Sequence, residues 1–355
     1  MRKLQRLQAV RAIAASAVVI DHVLGLCVSS HALPETFNTV DWSIGHLGVD
    51  VFFVISGFIM IRMARDKYAG MAGARAFVWD RISRIVPVYW IAIILSALLI
   101  GRNQPISSGN IIKSLLFIPY LDKSANLMRP ILALGWTLNY EMFFYIIFSL
   151  SLMLRRSATF PAILIALLAL VLIGSTFHTL MPYAEPETLA QFWTDPIILF
   201  FGLGIVIGFF EDQLTALLPV PPFQIFAIVG VLALTVGVSV MSKLTYPMPL
   251  AWQAGYALAS GVCVLLCITR RDLPPSPLTR FLVARGDDSF CTYVFQFLIL
   301  SACYPIIYEL KNRIFLPYII VLFAVISANI VGWATNTYLA RPMTRAFRRP
   351  HSIGR

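Results

Sequence analysis

Three ionisable side chains interrupt the apolar stretch VRAIAASAVVIDHV, residues 10–23: Arg11, Asp21 and His22. A central Arg or Asp in hydrocarbon costs about 2.5–3.5 kcal/mol on insertion scales, so such residues are read as functional by default. Arg11 and His22 are eleven positions apart, which on a helix puts them about 20° apart around the axis and ~16 Å apart along it. They share a face, with Ala14, Ala15 and Val18 between them. Asp21 falls about 80° off that face and either orients a neighbouring group or sits at the interface. An imidazole is the side chain best suited to taking and returning a proton near neutral pH, which makes His22 the candidate base. The competing reading is that Arg11 and His22 pair with other helices for packing alone.

Three more stretches carry polar groups on apolar backgrounds. In GHLGVDVFFVISGFIM, residues 45–60, His46, Asp50, Phe53 and Gly57 recur at helical spacing. Asp50 is either part of the site or interfacial, and Gly57 permits close helix approach. In WDRISRIVPVYW, residues 79–90, Arg81 and Arg84 stand at i, i+3, followed by Pro87 and Tyr89. Two guanidiniums so placed can grip phosphate bidentately; the alternative is a plain basic anchor at the membrane edge. In GWTLNYEMFFYIIFS, residues 135–149, Thr137, Glu141 and Tyr145 form a row at four-residue spacing. A glutamate this deep needs a partner. His22 is expected in the same half of the membrane, where a carboxylate would fix its tautomer; a structural pairing with Lys or Arg is the alternative. Trp136, with Tyr120, Trp193 and Trp252, is placed to form an aromatic belt at the outer interface. Gly202, Gly204 and Gly208 suit a helix crossing.

These groups need helices in a bilayer to position them. The 355-residue chain is 59% hydrophobic and 13% charged, with mean hydropathy +0.79. Soluble domains carry about 25% charged residues, so the composition excludes a water-exposed surface over most of the chain. Ten apolar runs are long enough to span: 8–28, 45–63, 85–101, 136–154, 158–176, 194–210, 222–241, 249–269, 288–309 and 317–339. The start, MRKLQR, resembles a signal peptide, but Arg11 and Asp21 interrupt its apolar part, so it reads as a retained first helix. The net charge of +11 resides in short connecting segments rather than in a nucleic-acid-binding patch. With the N-terminus inside, inner segments hold 20 Lys and Arg against seven outside, which places both termini in the cytoplasm. The expectation is an all-α polytopic membrane bundle of about ten transmembrane helices. It forms one transmembrane domain over 1–340, followed by a basic cytoplasmic tail, 341–355, lying on lipid headgroups. The five cysteines lack ligand spacing, and no metal site is expected.

In combination the segments resemble the integral-membrane acyltransferase family 3. The resemblance is carried by Arg-x10-His in helix one (Arg11 and His22), by GVDVFFVISGF, by RISRIVPVYW and by WTLNYEMFFY, all in order within the first 145 residues. It covers about residues 4–349, is dense at the N-terminal end, and is of the short type similar to exopolysaccharide O-acetyltransferases. It implies a multi-pass enzyme of the bacterial inner membrane that moves an acyl group, commonly acetyl, from acyl-CoA to a sugar hydroxyl. The acceptor would be an exopolysaccharide or its lipid-linked oligosaccharide precursor. On that basis Arg11, Arg81, Arg84 and Tyr89 are expected to hold the donor, and the pantetheine arm to run up the Ala14–Ala15–Val18 stripe. His22, oriented by Glu141 or Asp50, is expected either to take the hydroxyl proton or to receive the acyl group itself. Trp136, Tyr145 and Gln296 are expected on the acceptor side.

Two departures stand out. The ninth span reads FCTYVFQF, with Gln296 where family members often carry a second histidine, and glutamine cannot carry a proton. The tail reads LARPM, with Arg341 where a glutamate is frequent. A proton-coupled transporter is the main rival, since intramembrane ionisable groups also build relays, but no repeated halves or broken helix pairs appear. A non-catalytic scaffold is the second.

Overall fold

The computed structural model describes residues 4–34, 38–66, 70–101, 105–122, 127–177, 186–217, 250–268, 276–309 and 315–347. They are almost wholly helical: α1 (Gln5–Ser29), α2 (Asn38–Asp66), α3 (Gly70–Ile100), α4 (Ser108–Leu115), α5 (Trp136–Ser151), α6 (Arg156–Phe177), α7 (Leu189–Trp193), α8 (Leu199–Phe209), α9 (Glu211–Leu217), α10 (Leu250–Cys267), α11 (Pro277–Glu309), α12 (Leu316–Thr335), and α13 (Arg341–Phe347). A two-residue ribbon, β1 (Leu121–Asp122) with β2 (Leu127–Met128), lies between α4 and α5. Among the described residues, seven helical stretches are long and apolar enough to cross a membrane, and α10 is a shorter apolar helix. The chain is an all-α polytopic membrane protein.

Nine of the ten predicted segments fall on these helices, and the tenth, 222–241, lies outside the described residues. The largest difference is in the third. The prediction starts it at 85, whereas α3 runs 31 residues from Gly70 and carries Arg81 and Arg84 within its body. Pro87 removes one backbone donor inside this helix, which neighbouring helices make tolerable in a membrane protein. The tail predicted from 341 begins as a continuation of the last helix, through Phe347.

Several helix ends meet through contacts that involve basic residues or backbone groups. Gly70 N donates to Leu152 O (2.9 Å), joining the start of α3 to the end of α5. Arg62 pairs with Glu211 at 2.8 Å, and Arg65 reaches the Phe209 carbonyl at the end of α8. Trp79 Nε1 donates to Phe347 O (3.1 Å), docking α13 on α3.

In a bilayer, lipid tails are as apolar as leucine, so close packing rather than water exclusion joins helices. The α2–α8 crossing shows how. A Cβ on Gly57 would collide with the Phe201 carbonyl, and one on Gly204 with the Val54 carbonyl. Glycine at both positions lets the backbones touch, and the aromatic rings then interlock around them. Phe201 lies 4.5 Å from Phe53 and 4.3 Å from Phe144, centroid to centroid, and so ties α8 to α2 and α5.

Candidate active site

The cavity that matters opens between α2, α3, α5 and α11, with a volume of about 120 Å³. α2 contributes Val49, Phe52, Phe53, Ser56, Ile59 and Met60, a strip at helical spacing. α5 contributes Thr137, Leu138, Glu141 and Tyr145, the row seen in the sequence, and α11 contributes Ser289, Phe290 and Tyr293. Arg11, Arg81 and Arg84 converge on the same space from α1 and α3.

The arginines are held by different means. Arg81 is buried, its guanidinium 5.6 Å above the Phe77 ring and 5.9 Å above Tyr145, with Nη2 3.1 Å from Met63 Sδ. Arg11 Nη1 donates to Gln8 Oε1 (3.2 Å). Arg84 is exposed and lines the cavity. Arg84 has Arg81 and Arg11 as cationic neighbours, and the Glu141 carboxylate faces both Arg11 and Arg84. Glu141 Oε1 accepts from Ser56 Oγ (3.2 Å) and from the Tyr145 hydroxyl. The result is a partly compensated cationic pocket: three guanidiniums against one hydrogen-bonded carboxylate, with Asp287 near Arg11. Such a set suits a polyanionic ligand.

Away from the arginines, Tyr293 lines the cavity. Its hydroxyl donates to the Leu134 carbonyl (2.9 Å) and shares a 2.8 Å contact with Thr137 Oγ1. One turn further along α11, Gln296 donates to the Tyr293 carbonyl (2.9 Å) and lies beside the His22 ring. Its Oε1 is buried without a hydrogen-bond partner among the described residues. His22 Nδ1 is 2.7 Å from the Val18 carbonyl. A carbonyl can only accept, so Nδ1 carries the proton and Nε2 keeps its lone pair. Asp21 is the more distant neighbour, at 3.9 Å.

Two expectations about helix one change. The Ala14–Ala15–Val18 stripe is not a channel. All three residues are buried, and Gly48 of α2 packs onto them so tightly that a Cβ there would lie 2.9 Å from Ala14 O and 3.0 Å from Val18 Cγ2. Small residues permit close approach, and α2 has used it. The cavity lies one helix over, lined by α2, α5 and α11. Nor does Glu141 pair with His22; its partners are Ser56, Tyr145 and the arginines.

Of the remaining predicted residues, Tyr145 lies at the arginine end of the cavity, against Glu141 and Arg81. Tyr89 lies apart from the cavity, stacked on Phe117 at 4.4 Å and packed against Gly135. Trp136 stands edge-on to Tyr140 (5.9 Å) beside the cavity residue Thr137. Asp50 is buried on α2 between the lining residues Val49 and Phe52. Trp252 falls outside the residues whose side chains are described. Sequence reasoning missed Ser289 and Tyr293, and it read Ser56, beside Gly57, only as permitting close helix approach. The signal was available, because Ser289, Tyr293 and Gln296 recur at i, i+4, i+7.

Three arginines and a hydrogen-bonded glutamate thus line one cavity in a bundle of membrane-length helices, and His22 lies beside Gln296, one turn along α11 from the lining residue Tyr293. The chain belongs to the acyltransferase family whose model, described as an acyltransferase domain, matches residues 4–336. It is 32% identical over 337 residues to the exopolysaccharide production protein ExoZ of Rhizobium meliloti (strain 1021), covering 90% of this chain and 95% of that protein. No solved structure matches.

Proposed function

We propose that this acyltransferase acts in the bacterial inner membrane, moving an acyl group, acetyl in the first instance, from acyl-CoA to a hydroxyl of an exopolysaccharide or its lipid-linked sugar precursor. The observation that carries this reading is the convergence of Arg11, Arg81 and Arg84 on one cavity that Tyr293 also lines, one turn from the Gln296–His22 contact. The arginines would take the phosphates of the donor. Its thioester arm would lie along the apolar strip of α2, with the acyl end toward Tyr293 and His22.

His22 Nε2 would then take the proton of the acceptor hydroxyl as that oxygen attacks the thioester carbonyl carbon. The C–O bond forms, the C–S bond breaks, and the proton on Nε2 passes to the departing thiolate. The Nδ1–H to Val18 carbonyl bond supports this assignment, because it leaves one lone pair and points it away from the helix backbone. The likeness to a protein named for exopolysaccharide production supports the acceptor class.

The test is a reconstituted reaction: purified protein in proteoliposomes, radiolabelled acetyl-CoA, and lipid-linked oligosaccharide. Label transferred to the saccharide and released by mild base as an ester is the expected result. A wild-type protein that transfers nothing from acetyl-CoA or any longer acyl-CoA would overturn the reading.

A further inference from the structure

Asp288 is 1% exposed and directly precedes Ser289 and Phe290, which line the cavity. Its carboxylate gathers three groups. Arg285 Nη2 lies 3.0 Å from Oδ2, Asn336 Nδ2 donates to Oδ1 at 2.6 Å, and Arg341 Nη2 lies 3.8 Å from Oδ1. Asn336 also donates to the Asp287 carbonyl (3.4 Å), and Arg285 Nη1 to the Asn329 carbonyl (3.4 Å).

Asn336 and Arg341 come from the one place among the described residues where the helix is a π-helix, Asn336–Ala340. In an α-helix, residues five apart point roughly 140° away from each other. A π-turn closes i to i+5 and brings such residues one above the other. Asn336 and Arg341 are five apart, and the π-turn is what lets both reach one carboxylate. Beyond it, α13 is tied to α3 through Trp79, two residues before Arg81. The C-terminal segment therefore bridges α11 and α3, the two helices that carry Ser289, Phe290, Arg81 and Arg84.

We infer that Asp288 is a positioning residue: with Asn336 and Arg341 it forms a latch that fixes the C-terminal segment and sets α11 and α3 in the register that admits the donor. The latch itself is independent of what the donor is; its effect on donor affinity rests on the acyl-CoA reading above.

The experiment uses full-length protein in nanodiscs, comparing wild type, Asp288→Asn, Asn336→Ala, and the double variant Asp288→Asn/Asn336→Asp, which restores one carboxylate to the same hydrogen bond. Hydrogen–deuterium exchange over residues 336–347 is read first. Faster exchange in both single variants and recovery in the double variant are expected; unchanged exchange overturns the latch. Steady-state transfer from acetyl-CoA is read second. The donor KM is expected to rise at least about fivefold in Asp288→Asn, with kcat within about twofold and KM restored in the double variant. Faster exchange with an unchanged KM would overturn the positioning role. Should Asp288→Asn fail to fold, Asn336→Ala, which leaves the Arg285 pair intact, carries both measurements. A wild-type protein inactive with acyl-CoA would sink the donor reading alone, and the exchange data would still decide the latch.

Discussion

Replacing Arg84 with alanine should weaken donor binding far more than turnover. Arg84 and Arg81 stand at i, i+3, where Cβ atoms are about 5–6 Å apart. Two like charges at about 6 Å interact by roughly 3 kcal/mol at an effective dielectric of 20. Arg81 is held in place by its two aromatic rings, so it cannot swing away to relieve the repulsion. An anionic ligand between the two relieves it and gains a charge-assisted hydrogen bond worth about 1.5–3 kcal/mol. Truncating Arg84 forfeits that bond but also removes the strain it imposed on Arg81. The net loss should sit near the lower half of the range, a donor KM raised about 10- to 45-fold. The same variant should show a shallower dependence of KM on ionic strength, having lost one of the charges on which the attraction depends. Arg84→Lys should recover part of the affinity, since an ammonium supplies the charge without the planar fork. The assay is steady-state transfer with acetyl-CoA varied at several salt concentrations. A KM within twofold of wild type, or a collapse of kcat at unchanged KM, would refute the cationic-pocket argument.

Three further outcomes follow from the same geometry. His22→Ala should lower kcat by about 10²- to 10⁴-fold while donor affinity, read by isothermal titration with CoA, stays within about threefold, because His22 is outside the cavity lining. Glu141→Gln keeps an acceptor for Ser56 and Tyr145 but removes the charge facing Arg11 and Arg84; donor KM should fall about two- to fivefold, and a weaker KM would show that the carboxylate touches the donor directly. Gly57→Val should destabilise the α2–α8 contact by about 1–3 kcal/mol or more, seen as a lower melting temperature in detergent, since the added atoms meet the Phe201 backbone.

Much of the site was legible because membrane sequences spend few ionisable groups. Arg11, Arg81, Arg84, Glu141 and Tyr145 stood out against apolar surroundings, and all five line one cavity. Which of them face one another was not legible. Helical periodicity gives the face of a residue on its own helix, while the rotation of that helix in the bundle depends on backbone contacts such as Gly48 on Ala14. That contact fills the α1 stripe, and the cavity lies instead on the face of α2 carrying Phe52 and Ser56. Aromatic residues near a boundary were ambiguous for a different reason. Tyr89 and Tyr293 look alike in sequence, yet one stacks on Phe117 and the other lines the cavity. Near the π-turn at Asn336, Pro342 marks a helix irregularity in ATNTYLARPM, but the carboxylate that Asn336 reaches is 48 residues away and was not legible.

The separation of Glu141 from His22 follows from the cost of charge in a bilayer. A buried ion needs compensation, or several kcal/mol are lost. Glu141 finds it among the guanidiniums of the cavity, where a carboxylate offsets like-charge repulsion. An imidazole needs no counter-ion so long as it is neutral, and a backbone carbonyl at 2.7 Å is enough to fix its tautomer. With Asp21 further off, at 3.9 Å, the Val18 carbonyl is the closer partner, and it is supplied by the same helix at i−4. That arrangement ties the orientation of Nε2 to α1 itself. Substitutions at Glu141 should therefore be felt at the donor end, and those that shift α1, such as Gly48→Ala against Ala14 and Val18, at the histidine.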